Sequence, residues 1–249
     1  METHYDNWYS PALNRQMEIK VYGRGGKPVL FIPCQNGRVF DFENFGMANS
    51  WAPFIESGQA TVFAVDTIDQ ETWSDTGGDA YWRIRRHEDW IHYLTDEVVP
   101  YIRGYCRDYG WEYDPGIMAF GCSLGAMHAA NLYFRFPELF DQLLALSGLY
   151  SADYGFGSYM DDVVYLNSPV NYLSNMPFDH PYLSLYRKNR AIICVGQGPW
   201  ELVDYTRALH HVLVEKGIPA LVDYWGYDVN HDWPWWFKQV DYFVPQLLN

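Results

Sequence analysis

The feature that most constrains the fold of this chain is the stretch at residues 118–126, Met-Ala-Phe-Gly-Cys-Ser-Leu-Gly-Ala. A short apolar run ends in Gly-x-Ser-x-Gly and continues into a helix-compatible segment. This pattern is typical of a nucleophile elbow, in which a strand turns sharply into a helix and its central residue has a strained backbone. Ser123 is therefore a candidate nucleophile. Because Gly-x-Ser-x-Gly also occurs in ordinary glycine-rich turns, the surrounding sequence has to decide between the two interpretations.

Apolar runs and amphipathic segments alternate through most of the chain, which predicts an α/β fold with a mostly parallel sheet covered by helices on both faces. A half-buried strand is predicted at 17–21, followed by buried strands at 29–32, 61–65, 116–120, 143–146, 191–195 and 221–225. Helices are predicted at 47–56, at 82–109 with a kink or break at Pro100, directly after Ser123, at 201–216 and at about 234–247. Residues 150–188 form an irregular excursion that is placed where it could cover a site. The whole chain, 1–249, is expected to be a single domain without a large separate lid.

Composition excludes several classes of partner. The formal net charge of -14 and the sequence pI of about 4.8 would repel nucleic acid and anionic membranes, so neither is expected. The four cysteines are scattered without Cys-x-x-Cys spacing and are predicted to be reduced, with no zinc site and no disulfide framework. The N-terminus lacks the basic start and apolar stretch of a signal peptide, so a cytoplasmic location is expected.

A serine hydroxyl needs a histidine to take its proton, and that histidine needs an orienting acid. In chains with this elbow the order along the sequence is nucleophile, acid, base. Five of the eight histidines follow Ser123. His231 lies in the loop directly after the last predicted strand, at the strand ends where such sites form, and is the predicted base. The weaker candidates lie on helices or in the excursion: His128, His180, His210 and His211.

The acid is expected in the loop at 196–201, which follows the predicted strand at 191–195. Glu201 is the first carboxylate there and is the predicted acid, with Asp204, one helical turn further on, as the alternative. Asp228 shares the loop of His231 and is less suited to hold the ring from the opposite side. Another interpretation of Glu201 is an acid at a helix N-terminus, favoured by the helix dipole.

Two backbone N–H groups are expected to bind the negative charge that develops on a substrate oxygen. One is the amide of Leu124, the residue after the candidate nucleophile, at the positive end of its helix. The second should come from the loop after the strand at 29–32. The amide of Gln35 is the prediction, with Asn36 as the alternative.

Three segments carry a family resemblance: 120–126, the helix Glu-Leu-Val-Asp-Tyr-Thr-Arg-Ala-Leu from Glu201, and Asn-His-Asp-Trp-Pro-Trp-Trp at 230–236. Together they resemble the Putative esterase branch of the α/β-hydrolases, which includes S-formylglutathione hydrolases, feruloyl and enterochelin esterases, and mycolyltransferases. The His-Asp-Trp-x-x-Trp ending is much more specific than the elbow, and the resemblance spans 17–247. It implies a serine esterase fold with little or no lid domain, and it supports Ser123, His231 and Glu201 by position.

The acid loop departs from the pattern of many relatives. They carry an aspartate shortly after the glycine of this loop, whereas this chain has Gln-Gly-Pro-Trp at 197–200 before Glu201. The mycolyltransferase pattern, with a glutamate after such a loop, is more similar here. The segments that recognise formylglutathione or mycolyl groups are not evident, so the resemblance does not imply a substrate.

Two charged clusters also have to be interpreted. The cluster Arg83, Arg85 and Arg86, beside His87, lies on an amphipathic helix and is predicted to be a solvated face, although it could bind a substrate carboxylate. An acidic cluster follows the strand at 61–65 and consists of Asp66, Asp69, Glu71 and Asp75. Its spacing matches no calcium loop, so no metal is predicted.

The leading hypothesis is a serine esterase that hydrolyses a small-molecule carboxylic ester through an acyl-enzyme, without a cofactor. A second hypothesis transfers the same acyl group to an alcohol. A third is a non-catalytic binding module on the same scaffold, because 18% of the residues are aromatic and could hold a glycan or a partner. The oligomeric state is left open.

Overall fold

The computed structural model describes residues 1–111 and 116–248, and the eight strands in these ranges form one sheet. The strands are β1 (Thr3–Ser10), β2 (Arg15–Tyr22), β3 (Lys27–Ile32), β4 (Ala60–Val65), β5 (Ile117–Cys122), β6 (Phe140–Leu146), β7 (Arg190–Val195) and β8 (Leu221–Tyr224). Their spatial order is β1-β2-β4-β3-β5-β6-β7-β8. Strands β3 to β8 are mutually parallel, whereas β1 and β2 pair antiparallel at one edge.

The seven predicted strands are all present, and β1 was missed. The sequence of β1 is Thr-His-Tyr-Asp-Asn-Trp-Tyr-Ser, which is mostly polar and exposed. It is an edge strand held by backbone pairing to β2 along its whole length. Such a strand buries little apolar surface, so it lacks the hydrophobic pattern by which the others were predicted.

The helices cover both faces of the sheet, as predicted. They are α1 (Asp41–Asn44), α2 (Met47–Glu56), α3 (Ala80–His92), α4 (Val99–Asp108), α5 (Leu124–Arg135), α6 (Asp153–Phe156), α7 (Asp162–Leu166), α8 (Pro169–Ser174), α9 (Tyr182–Tyr186), α10 (Val203–Lys216) and α11 (Trp233–Leu248). The excursion at 150–188 contains the four short helices α6 to α9 and is not irregular. Helices of four to six residues are too short to show a helical period in the sequence.

The helix predicted at 82–109 is interrupted before Pro100. A π-helical segment, Tyr93–Val98, joins α3 to α4, and Pro100 occupies the first turn of α4. Proline has no N–H to donate to the carbonyl of Asp96 four residues earlier, so the regular helical hydrogen bond is missing there. The predicted local break is therefore present as a change of helical register.

Alternate residues of the central strands point into two separate cores. In β5, Ala119 packs in the core beneath α3, α4, α5 and α10, whereas Phe120 packs in the core beneath α2 and α11. The same alternation separates Leu30 from Phe31 in β3. No helix in the described part of the chain is long and apolar enough to cross a membrane.

The prediction of a solvated arginine face on α3 is wrong for Arg83. Its side chain is buried, and its guanidinium donates to the carbonyl oxygens of Thr72, Trp73 and Gly155. An arginine can be buried in this way because its five N–H donors satisfy several carbonyls at once. Arg83 therefore fixes the segment after β4 against α6.

Candidate active site

The elbow predicted at Ser123 is present between β5 and α5. Ser123 has φ 58° and ψ -128°, a conformation that L-residues rarely adopt, and its N–H donates to the carbonyl oxygen of Leu146 at 2.9 Å. Backbone strain of this kind costs about 1–3 kcal/mol and persists only where the surroundings enforce it. The neighbouring strand and the start of α5 thus hold the serine at the carboxyl end of the sheet.

Both glycines of the motif are required by close backbone contacts. A Cβ at Gly121 would collide with the backbone of Gly125, and a Cβ at Gly125 would collide with the carbonyl oxygens of Ile32 and Pro33. The N-terminus of α5 therefore lies directly against the end of β3. This contact brings the Leu124 amide next to the loop that carries Gln35.

His231 joins Ser123 to Glu201. Its Nε2 atom lies 2.9 Å from the Ser123 Oγ atom, and its Nδ1 atom lies 3.0 Å from Glu201 Oε2. With the ring proton on Nδ1, His231 donates to the carboxylate and accepts from the serine hydroxyl. The other four histidines after Ser123 contact other residues: His128 contacts Asp69, His180 the Tyr182 N–H, His210 the Tyr224 hydroxyl, and the exposed His211 lies 4.0 Å from Glu215.

The two candidate acids have opposite surroundings. The Glu201 side chain is 1% exposed and contacts His231, whereas that of Asp204 is 92% exposed and pairs with Arg207 at 2.9 Å. Glu201 lies before Leu202, the N-cap of α10, so it is not the first-turn acid of a helix. The structure brings Glu201 to the histidine and leaves Asp204 in solvent.

Ser147 binds the Glu201 carboxylate oxygen that does not contact His231, and Trp236 in turn binds Ser147. Glu201 Oε1 accepts the Ser147 hydroxyl at 2.7 Å and the Gly196 N–H at 3.2 Å, and Ser147 Oγ accepts the Trp236 indole N–H at 3.0 Å. The Trp236 ring also meets His231 edge-on, with centroids 5.0 Å apart. Sequence reasoning missed the role of Ser147. The sequence signal that could have pointed to Ser147 is the Ser-Gly pair at 147–148, which closes β6. In the structure, Ser147 has a positive φ of 56°.

Backbone hydrogen bonds connect the acid loop at 196–201 to the loop at 226–231, which carries His231. The Gly198 N–H donates to the Val229 carbonyl at 2.8 Å, and the His231 N–H donates to the Pro199 carbonyl at 3.2 Å. A Cβ at Gly198 would collide with the Val229 backbone. In the segment at 197–200, Gly198 therefore allows the two loops to pack closely, and the next residue, Glu201, reaches the ring of His231.

The two amides predicted to bind the oxyanion are free to do so. In the described ranges, neither the Leu124 N–H nor the Gln35 N–H donates to a protein acceptor. The alternative, the Asn36 N–H, donates to Asp69 Oδ2 at 3.0 Å. Of the two loop amides, only that of Gln35 is unoccupied.

Cys122 directly precedes Ser123, and Cys34 directly precedes Gln35. Desolvation, followed by the charges of Asp41 and Asp69, raises the pKa of Cys34 to about 12. Complete burial raises the pKa of Cys122 well above its ordinary value. A thiol reacts as its thiolate, so neither cysteine is expected to act as a nucleophile near neutral pH.

Three of the four carboxylates in the acidic cluster after β4 are bound by groups of the protein. Among the residues that the structure describes, no group of three or more potential ligands could hold a metal ion. Asp66 accepts from Arg38 and from the Val39 N–H, and Glu71 pairs with Arg15 and Arg86. Asp69 contacts Asn36 and His128.

The parallel sheet, the strained strand-to-helix turn at Ser123 and the loops that meet at the carboxyl ends of β5, β7 and β8 define an α/β-hydrolase fold. The family model described as Putative esterase matches residues 10–245, and the chain belongs to this family. It is accordingly an ester hydrolase of the serine class. No curated protein sequence matches the chain.

Solved structures of the same fold align along almost the whole chain. A ferulic acid esterase has 18% identity and a TM-score of 0.74, covering 99% of this chain and 97% of its own. MPT51 (FbpC1) of Mycobacterium tuberculosis has 14% identity and a TM-score of 0.72, covering 98% of both chains. An S-formylglutathione hydrolase of Agrobacterium tumefaciens has 14% identity and a TM-score of 0.70, covering 98% of this chain and 92% of its own. The resemblance and the fold class predicted from the sequence are confirmed.

Proposed function

We propose that the chain hydrolyses a small carboxylic ester through an acyl-enzyme on Ser123, with His231 as general base and Glu201 as the acid that orients it. One observation carries this proposal. The serine hydroxyl, the imidazole and a buried carboxylate form an unbroken line of two hydrogen bonds of 2.9 and 3.0 Å. That arrangement is the one in which a serine becomes nucleophilic at neutral pH.

In the first half-reaction, Ser123 Oγ bonds to the ester carbonyl carbon while its proton moves to His231 Nε2. The tetrahedral intermediate collapses with cleavage of the carbon–oxygen bond to the alcohol, which leaves with the proton from Nε2. In the second half-reaction, a water attacks the acyl carbon and gives a proton to Nε2. The acyl–Oγ bond then breaks, the carboxylic acid leaves, and Ser123 recovers its proton from His231.

In both half-reactions the negative charge on the carbonyl oxygen is bound by the N–H groups of Leu124 and Gln35. Fixed donors of this kind stabilise the transition state more than the ground state, and they need no reorganisation as charge develops. The groups required by the reaction are thus side chains and amides of this chain.

The test is labelling with a fluorophosphonate together with turnover of p-nitrophenyl acetate. We expect Ser123→Ala to lose all labelling and His231→Ala to lose most of it, with kcat reduced at least about 10⁴-fold in both variants. His211→Ala is the matched control, because this side chain is 81% exposed on α10 and should leave both readouts unchanged.

Labelling that persists in Ser123→Ala would contradict the proposal, since another nucleophile would then carry the phosphonate. A wild-type protein that neither labels nor turns over esters would contradict it as well. Circular dichroism of each variant establishes that it is folded.

A further inference from the structure

A second buried aspartate–histidine pair lies close to the proposed active site. His128 Nε2 is 3.1 Å from Asp69 Oδ1, and the two side chains are 1% and 2% exposed. A buried carboxylate is costly unless other groups satisfy it, so a pair of this kind has a specific structural cause. The steps described above use neither residue.

The other oxygen of Asp69 reaches the loop that carries the proposed second oxyanion donor. Asp69 Oδ2 accepts the Asn36 N–H at 3.0 Å, and Asn36 has a positive φ of 61°. The turn at 34–37 is closed by a hydrogen bond of 2.8 Å from the Gly37 N–H to the Cys34 carbonyl. These two bonds hold the peptide units on both sides of Gln35.

We infer that Asp69 and His128 are positioning residues that preset the oxyanion hole, an inference that rests on the proposed function. The plane of a trans peptide fixes the direction of its N–H relative to its carbonyl. Once the Cys34 carbonyl is held by Gly37 and the Asn36 N–H is held by Asp69, the Gln35 N–H keeps one direction. Of these two hydrogen bonds, the one to Cys34 lies within the turn, whereas the one to Asp69 fixes the turn from outside.

The pair also connects the two proposed donors. His128 lies four residues after Leu124 on α5, which places their side chains on the same side of that helix. Asp69 therefore links the helix that carries the Leu124 amide to the turn that carries the Gln35 amide. A fixed separation between the donors is the geometric requirement for binding one oxygen atom with both.

Asp69 is itself held in place on its other side. Its carbonyl oxygen accepts the N–H groups of Thr72 and Ser74 at 3.0 and 2.8 Å. Arg83 donates to the Thr72 carbonyl at 2.8 Å. These hydrogen bonds hold the Asp69 backbone in place, so its carboxylate can fix the position of the turn through Asn36.

The experiment compares Asp69→Ala, Asp69→Leu and Asp69→Asn. Leucine fills the space of the aspartate but offers no acceptor, whereas asparagine can still present an oxygen to the Asn36 N–H. The control is Asp66→Ala. Asp66 is a buried carboxylate that accepts the Val39 N–H at 2.6 Å, only two residues beyond the turn.

We expect kcat on p-nitrophenyl acetate to fall about 10- to 100-fold in Asp69→Ala and Asp69→Leu, with KM nearly unchanged, because the oxyanion contact is made in the transition state. The inhibition constant of an alkyl trifluoromethyl ketone, which forms a tetrahedral adduct bearing an oxyanion, should weaken by a similar factor. Asp69→Asn should retain most of both. Asp66→Ala should lose stability without either change.

The inference is overturned if folded Asp69→Leu keeps the wild-type kcat and ketone affinity, or if Asp66→Ala loses both equally. Asp69→Asn decides the same question if the other two variants do not fold, because a loss of ketone affinity despite a retained acceptor would also contradict it. Failure of the proposed function is distinguishable, since it would show as absent labelling in the wild-type protein.

Discussion

At the residue scale, burial distinguishes the two candidate acids, which lie three residues apart in the sequence. Glu201 and Asp204 are both carboxylates near the start of α10, and sequence position alone favours neither strongly. Ser147 and the Gly196 N–H bind Glu201 Oε1, which leaves Oε2 for His231. In the proposed reaction, an acid held in this way orients the imidazole and stabilises the imidazolium that forms.

This arrangement predicts that Glu201→Gln lowers kcat by about 10³- to 10⁴-fold while the protein stays folded, because an amide lacks the negative charge and its NH2 group favours the wrong tautomer of His231. Asp204→Asn, three residues away, should retain wild-type activity. Steady-state kinetics with p-nitrophenyl acetate measures both. A large loss in Asp204→Asn combined with an active Glu201→Gln would reverse the assignment.

At the element scale, the elbow depends on the close approach of β3, β5 and α5. The glycines at 121 and 125 allow that approach because they lack a Cβ, and the contacts they make are to backbone atoms that cannot rotate away. The position of Ser123 is thus set by the packing of a helix end against a strand end. Interference with this packing should affect stability and activity together.

Gly125→Ala should therefore destabilise the fold by about 1–3 kcal/mol, the usual cost of overpacking, and reduce kcat by displacing the Leu124 amide. Gly104→Ala is the matched control, because Gly104 lies in α4 and, apart from that helix's own backbone, no atom of the described residues lies within 4 Å of an added Cβ. That variant should be more stable than the wild type by about 0.4–1 kcal/mol. Urea unfolding and ester turnover provide the two measurements, and equal stability changes in the two variants would contradict the packing argument.

At the scale of the whole molecule, the buried His87 links folding to pH. Its ring lies among those of Trp73, Trp90 and His128, and neither ring nitrogen has a hydrogen-bond partner within the described ranges. Desolvation, followed by the charges of His128 and Arg135, lowers the pKa of His87 well below 6.5. The unfolded chain therefore binds a proton below pH 6.5 that the folded chain excludes, so the free energy of unfolding falls as the pH falls.

We expect His87→Phe to lose this pH dependence, because phenylalanine does not titrate. The free energy of unfolding of the wild type minus that of the variant should fall by about 1.4 kcal/mol for each pH unit below about pH 6. Urea unfolding between about pH 7 and about pH 5 measures the difference. His211→Phe, at an exposed position, should keep the wild-type slope. Parallel pH profiles for the wild type and His87→Phe would contradict the prediction.

How much of the molecule was predictable depends on how local each signal is. Buried strands such as β3 and β5 are continuous apolar runs, and the elbow is a contiguous motif, so both could be predicted from the sequence. The edge strand β1 and the short helices α6 to α9 have no such periodic signal. The buried Arg83 was missed because its partners are carbonyl groups, which every residue carries.

The sequence by itself determined the α/β order of elements, the family, the serine at the elbow and the histidine after the last strand. These features follow from patterns confined to short stretches of chain. Only the tertiary structure brought Ser147 and Trp236 to Glu201 and left Asp204 in solvent. It also joined Asp69 to Asn36 and His128. Those contacts join residues that are distant in the chain, and they exist only because the parallel sheet gathers its loops at one edge.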